Sequence, residues 1–335
     1  EGVIKTPEKE DGPGEYLICD VTGPGAIVRT WTARIAGDIR VYLDGAGTPL
    51  YDGPAEAFLR RPYDSYLEGS GLDAALFDGT FYQREAAYCP IPFAKQCRVV
   101  WIGDLRATHF YQLEVRQYDP GTEVTAFTPA DLKTHADAIR RAAAILTEPD
   151  AAWEYASDEA PVAFAADIAP GGKAEALEIE GPRALERLTL HLDAANRDLA
   201  LRQTVMHIKC DLYPWGQVQA PVGDFFGAAP GINPYASVPF SVLPDGTMVC
   251  RFPMPFEKQL RIVFENLGEQ PVKITGEALP RAYIWDPARS MHFRARWRVN
   301  HGLVGSGLAP QDLPFLLANG AGVFAGAVSY VMNPN

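Results

Sequence analysis

No stretch of this chain is long and apolar enough to cross a bilayer. The longest candidate, Gly320 to Met332, falls short of the ~20 residues that a spanning helix needs and is rich in glycine and alanine. Nor does a basic, apolar leader open the sequence. It starts at Glu1 without a methionine, so either processing has removed a leader or the chain is part of a longer one. Cysteine is scarce: Cys19, Cys89, Cys97, Cys210 and Cys250 are scattered, odd in number and without a CxxC pair. That argues against a disulfide framework or a zinc knuckle and for small buried apolar groups. It leaves the compartment open between secreted, periplasmic and cytoplasmic. Basic residues are outnumbered 30 to 42, and the net charge of -12 argues against nucleic acid or an anionic membrane as partner.

What abounds is punctuation. The chain has 28 prolines and 30 glycines, which break it into many short strands and turns. Ile39 to Leu43 alternates like a half-buried strand and runs into Asp44-Gly45, a hairpin signal that recurs at Asp52-Gly53, Asp78-Gly79 and Asp245-Gly246. One phrase is written twice. PIPFAKQCRVV, Pro90 to Val100, returns 163 residues later as PMPFEKQLRIV, Pro253 to Val263, identical at seven of eleven positions. Two more blocks repeat in the same order at nearly the same spacing: GPGAIVR from Gly23 with GPRALER from Gly181, and PAEAFL from Pro54 with PVGDFF from Pro221. Three collinear matches imply duplication of one all-β unit, and many short strands in a unit of this size suggest a β-sandwich or a jelly roll. Proline cannot donate to a ladder, so PxPF is expected at an edge or at the start of a strand.

One helix interrupts the pattern. Thr128 can cap it, Pro129 suits the first helical position and Asp131 favours the positive N-terminal end. Leu132, Ala136, Ile139, Ala143 and Leu146 follow at helical spacing, and Pro149 ends it. The expected organisation is a first jelly-roll unit over 1–127, a connecting helix over 128–150 and a second jelly-roll unit over 151–290. The remainder, 291–335, is a link and the start of a third, incomplete unit, because GAGVFA from Gly320 resembles GPGAIV from Gly23.

Tests for chemistry return little. Gly305-Ser306-Gly307 lacks the upstream glycine of a G-x-S-x-G elbow. Gly320, Gly322 and Gly326 miss the dinucleotide-binding spacing. The six histidines form no HExxH; His191 and Asp193 share one side of a strand, which more often makes a polar face than a metal site, and His135 is expected in solvent. No cofactor and no metal is expected. Glycoside cleavage needs two opposed carboxylates, which a sequence cannot pair. The most suggestive acid is Asp224, between Gly223 and the aromatic pair Phe225-Phe226. Asp224, Phe225, Phe226 and Trp215 are the candidate sugar contacts. The competing reading gives Asp224 a turn and the aromatic rings a core. Trp285 in YIWD stands in the same balance, and Glu265-Asn266 is expected to shape a turn.

The wording GPGAIVRTWTA, IRVYLDGAGTP, YCPIPFAKQC, APVGDFFGAAPGINPY and FPMPFEKQLRIVFENLG resembles glycoside hydrolase family 172, from about Gly14 to Val331. The resemblance implies β-jelly-roll units, trimeric or other homo-oligomeric assembly, a bacterial source, and retaining cleavage of fructofuranosides or arabinofuranosides. A furanoside-containing glycan is the expected partner. The family's two catalytic glutamates lie in W-G-E-G-D and G-T-G-x-E-D-Y segments, and neither occurs here; the family's S-x-D-R-T-G-G-N segment is missing as well. No catalytic residue can therefore be assigned a number, and the neighbours of Glu56 do not match G-T-G-x-E-D-Y. The alternative is a non-catalytic jelly-roll protein that binds carbohydrate or builds an assembly. A metal-dependent cupin-like enzyme is disfavoured by the histidine spacing.

Overall fold

The computed structural model describes residues 2–8, 12–303, 307 and 311–331. Of the Gly305-Ser306-Gly307 loop, Gly305 and Ser306 lie outside the described residues. The chain divides into two compact units, Glu1–Glu148 and Pro149–Asn335.

In the first unit the strands are β1 (Gly2–Lys5), β2 (Gly14–Thr22), β3 (Gly25–Ile35), β4 (Asp38–Leu43) and β5 (Tyr51–Pro54). After a short helix α1 (Ala55–Arg60) come β6 (Tyr82–Gln83), β7 (Ala86–Ala87), β8 (Ile91–Phe93), β9 (Gln96–Gly103) and β10 (His109–Gln117). One sheet runs β1-β2-β9-β4-β5 and the other β10-β3-β7-β6, with β8 also on β3. The chain switches sheets from β2 to β3, from β3 to β4, from β8 to β9 and from β9 to β10, which is jelly-roll winding. The core between the sheets includes Ile27, Ile39, Val41, Phe58, Phe93, Val99 and Trp101.

The second unit opens with a short helix α4 (Pro149–Ala152), after α2 (Ala130–Thr134) and α3 (Ala136–Thr147) of the first. Its strands are β11 (Val162–Ile168), β12 (Lys173–Glu180), β13 (Arg183–Asp193), β14 (Thr204–Cys210), β15 (Val218–Pro221), β16 (Tyr235–Ala236), β17 (Phe240–Val242), β18 (Met248–Cys250), β19 (Met254–Phe256), β20 (Gln259–Asn266), β21 (Val272–Ala282) and β22 (Ala295–Arg296). Helix α5 (Arg197–Gln203) precedes β14, and α6 (Val222–Phe225) follows β15. The sheets run β12-β20-β14-β15-β22 and β11-β21-β13-β18-β17-β16, with β19 on β13. The order β2, β3, β4, β5, α1, β8, β9, β10 of the first unit thus recurs as β12, β13, β14, β15, α6, β19, β20, β21. The strands alternate as half-buried strands should: Thr204, Met206, Ile208 and Cys210 of β14 are buried, with half-buried residues between them. The units differ at one edge, since β21 is flanked by β11, whereas among the described residues no strand lies beyond the outermost strand β10 of the first unit, and β1 joins the opposite sheet.

The duplicated phrase builds a corner. In each copy the last three residues of PxPF form a strand of their own, β8 or β19, pairing with β3 or β13. Two residues later the chain has crossed to the other sheet as β9 or β20. The phrase therefore does not start the long strand that follows it; it ends a run in the facing sheet. The side chains of Phe93 and Phe256 are buried at this crossing. A carboxylate clamps each corner. Asp44, just past β4, accepts from the backbone N–H groups of Ala94, Lys95 and Gln96 at 3.2, 2.6 and 3.1 Å. Asp211, just past β14, accepts from Glu257, Lys258 and Gln259, the Lys258 bond being 2.6 Å. Both aspartates sit at positive φ, 56° and 55°, a region that aspartate tolerates better than most residues because its short side chain bonds locally. The same corner is held from the other side by Gly23 N–H on the Lys95 carbonyl and Gly181 N–H on the Lys258 carbonyl. A Cβ on Gly23 would stand 2.8 Å from the Ala94 carbonyl oxygen, and one on Gly181 2.6 Å from that of Glu257. Only glycine lets the backbones come so close.

The single helix read from the sequence is two, α2 and α3, parted at His135. Pro129, not Thr128, takes the cap position, without a side-chain cap bond, and α2 begins at Ala130; Thr128 is tied in differently, its N–H donating to the Asp131 carboxylate at 2.8 Å. Leu132, Ala136 and Ile139 pack on the first core, so α2 and the start of α3 belong to that unit's packing. Residues 311–331 carry no strand or helix. No helix among the described residues is long and apolar enough to cross a membrane.

Burial opposes the charge on Asp211, but the N–H of Lys258, the ring of His292 and the N–H groups of Glu257 and Gln259 outweigh it and hold its carboxyl below the usual range. A depressed carboxyl stabilises the fold above its unfolded value of about 3.9, and that contribution vanishes as pH falls through the folded value. Asp211→Ala is expected to cost about 2–3 kcal/mol in urea unfolding at pH 7, by loss of charged hydrogen bonds. The gap to the parent chain should shrink on acidification toward the pH at which the parent carboxylate is itself protonated.

Candidate functional site

The four residues singled out by the sequence are placed at the two ends of β15. Trp215 lies in the loop before it, and Asp224, Phe225 and Phe226 lie on α6 and just past it. The four residues of β15 at ~3.3 Å each keep the two groups apart, so they do not share one cradle.

On the α6 side the rings are packing groups. Phe226 is fully buried and Phe225 is 6% exposed. Phe225 meets Phe226, Phe240 and Phe293 edge-on. Their counterparts in the first unit, Phe58 and Leu59 of α1, are buried as well. Asp224 has no such counterpart, because the matching residue is Ala57. Its side chain is 8% exposed and stands 3.0 Å from Arg202, while its other oxygen accepts from the Trp297 indole N–H at 3.0 Å. Burial pushes the Asp224 carboxyl up, against the pull of Trp297 and Arg202. Tyr330 stands near enough to Asp224, Tyr235 and Arg202 for their charges to bear on its hydroxyl.

On the loop side the surface is aromatic and open. Trp215 is 53% and Tyr213 40% exposed, with ring centroids 5.7 Å apart and planes tilted by 49°. Tyr213 rests edge-on against His292 at 6.0 Å, and Trp285 packs on the other ring contact of His292 at 5.0 Å. The His292 Nε2 meets Asp211 Oδ2 at 2.6 Å. The clamp of the corner thus also anchors the aromatic group. Sequence reasoning missed Tyr213, His292 and Asp211. One signal was available: the offset of 167 that carries Pro54 onto Pro221 also carries Asp44 onto Asp211.

The remaining candidates are structural or scattered. Asn266 is 1% exposed and its amide donates to the carbonyls of Ile168, Ala169 and Gln270, which stitches two turns together. Glu265 pairs with Lys173 at 2.9 Å and meets His207 at 3.3 Å. Among the described residues, no group of three or more His, Cys, Asp or Glu side chains gathers as a metal site. An open hollow of about 660 Å³ in the first unit is lined by Asp64, Glu68 and Asp73 among others, and Asp64 there is bound by Arg61 and Tyr82.

These placements separate packing from surface. Phe226→Ala is expected to destabilise the protein by about 3–5 kcal/mol, as for a buried aromatic. Trp215→Ala should stay within about 0.5 kcal/mol, as for a surface change. Denaturant unfolding of both variants checks the contrast, and a large loss for Trp215→Ala would show that its ring is a packing group.

Comparison with known proteins gives two matches. The model described as "GH172 first beta-sandwich domain" covers residues 2–135, and that described as "GH172 domain-like" covers residues 159–277. No curated protein sequence matches the chain.

Proposed function

Since the chain belongs to glycoside hydrolase family 172, we propose that it is the sugar-contacting jelly-roll part of a retaining furanosidase, of the fructofuranoside or arabinofuranoside type. The observation that carries this reading is the open Tyr213–Trp215 pair, held in place through His292 and Asp211. Aromatic faces stack on the apolar face of a sugar ring while leaving its hydroxyls to water and polar neighbours. The matching loop of the first unit, Asp44 to Leu50, reads DGAGTPL and carries no aromatic residue, so the fold does not require these rings.

Asp224 is the second proposed contact, again because the sister unit folds with alanine in its place. Its Oδ1 accepts from Trp297, whereas its Oδ2 stands beside Arg202 without a hydrogen bond among the described residues, which leaves one oxygen for a sugar hydroxyl. Phe225 and Phe226 stand behind it as core. The proposed role for these 335 residues is binding without cleavage, since they contain neither the W-G-E-G-D nor the G-T-G-x-E-D-Y segment. A homo-oligomer, a trimer by family resemblance, is part of the same reading and is measurable by light scattering. The second reading, a purely structural jelly-roll pair, is favoured by the extent of packing on the α6 side.

The chain is expected to bind arabinofuranosyl or fructofuranosyl oligosaccharides in calorimetry and to release no nitrophenol from nitrophenyl furanosides. Trp215→Ala should weaken binding about tenfold, a loss of ~1.4 kcal/mol. Turnover by the chain alone would overturn the non-catalytic assignment, and absence of any binding would leave the structural reading.

A further inference from the structure

Strands β2 and β9 bring two of the five cysteines to one place. Cys19 pairs in register with Val99, and Val21 with Cys97, so the two thiols are diagonal neighbours on adjacent strands. Both face the first core. Cys97 is fully buried, and Cys19 is half-buried at the core's margin, where solvent reaches it.

The second unit supplies an internal control. There Leu177 pairs with Ile262 and Ile179 with Leu260, and the register shift between Glu175 and Leu177 matches that between Leu17 and Cys19. Leu177 and Leu260 therefore occupy the positions of Cys19 and Cys97, and both are buried. This corner of the sandwich packs well on two leucines. The first unit instead carries thiols at both positions, so packing alone does not account for the pair.

We propose that Cys19 and Cys97 are a redox pair that a peroxide closes into a cross-strand disulfide, with Cys19 as the attacking thiol and Cys97 as the resolving one. The Cys19 thiolate attacks one oxygen of hydrogen peroxide; the O–O bond breaks, hydroxide leaves, and Cys19 becomes a sulfenic acid. The Cys97 sulfur then attacks the Cys19 sulfur; the S–O bond breaks and a second hydroxide leaves. With the two thiol protons, the products are one S–S bond and two waters, so two thiols lose two electrons and one peroxide gains them. The roles follow from exposure, and the Cys97 thiol reinforces them by hydrogen-bonding to Cys19, which lowers the Cys19 thiol below its ordinary value despite burial and the nearby Asp20. Diagonal strand neighbours stand ~7–8 Å apart, beyond the ordinary disulfide span of ~4.4–6.8 Å, and the two strands are already paired, so closure must slide β2 along β9. The register shift beside Cys19 is where the ladder can yield.

The test treats the full chain with a small excess of hydrogen peroxide, blocks residual thiols, and reads intact mass and linked peptides. The expected result is a loss of about 2 Da that dithiothreitol reverses, with the Cys19 and Cys97 peptides joined. In Cys97→Leu, which copies the sister unit's residue, dimedone should instead label Cys19, and in Cys19→Leu the mass loss should vanish. No mass loss in the parent chain, a link between other cysteines, or equal dimedone labelling of Cys19 in parent and Cys97→Leu chains would overturn the proposal.

Discussion

Each sandwich depends on an aspartate carboxylate at the corner where the chain leaves one sheet for the other. Jelly-roll winding requires such crossings, and every crossing exposes backbone N–H groups that no ladder satisfies. Asp44 and Asp211 take three of these groups each. A carboxylate suits this because it accepts several bonds at once and its charge strengthens them. With the corner fixed, the buried aromatic ring before it and the long strand after it are set in register, and Gly23 or Gly181 closes the far side. The repeated K-Q of the phrase supplies backbone to the clamp, while its Phe fills the core.

Much of the architecture was legible. Collinear echoes revealed the duplication because the two copies face the same constraints: a close approach at the glycine, a buried Phe, a turn. The alternation of strands such as β14 and β20 shows which face each buries. What the sequence hid were interactions set by neighbours distant in the chain. The break at His135 left Leu132, Ala136, Ile139 and Ala143 in helical phase, so the periodicity did not betray it. PxPF reads as the start of the strand beside it, because its true partner, β3 or β13, lies some 70 residues upstream.

The candidate site was legible only in part. Trp215 stood out by type, and its exposure agrees with the use proposed for it. Phe225 and Phe226 stood out for the same reason, yet the core holds them, as the burial of Phe58 and Leu59 at the matching positions shows. Residue type does not distinguish an aromatic ring that packs from one that faces a ligand. Comparing the two copies does better. What both share serves the fold, as with Phe58 and Phe225, and what one alone carries, such as Asp224, the Tyr213–Trp215 pair or the Cys19–Cys97 pair, needs another reason.

The loop that begins at each clamping aspartate has seven residues in both units, Asp44 to Leu50 and Asp211 to Gln217. Beyond the aspartate the two sequences, DGAGTPL and DLYPWGQ, have no position in common. The first residue is thus a fixed plug and the last two are anchored as well, since Gly216 and Gln217 are buried and Gln217 bonds the Cys210 backbone; the interchangeable cartridge is the exposed stretch between, Gly45 to Thr48 or Leu212 to Trp215. Those four exposed positions are where a designed recognition sequence would leave the buried anchors of both sheets in place.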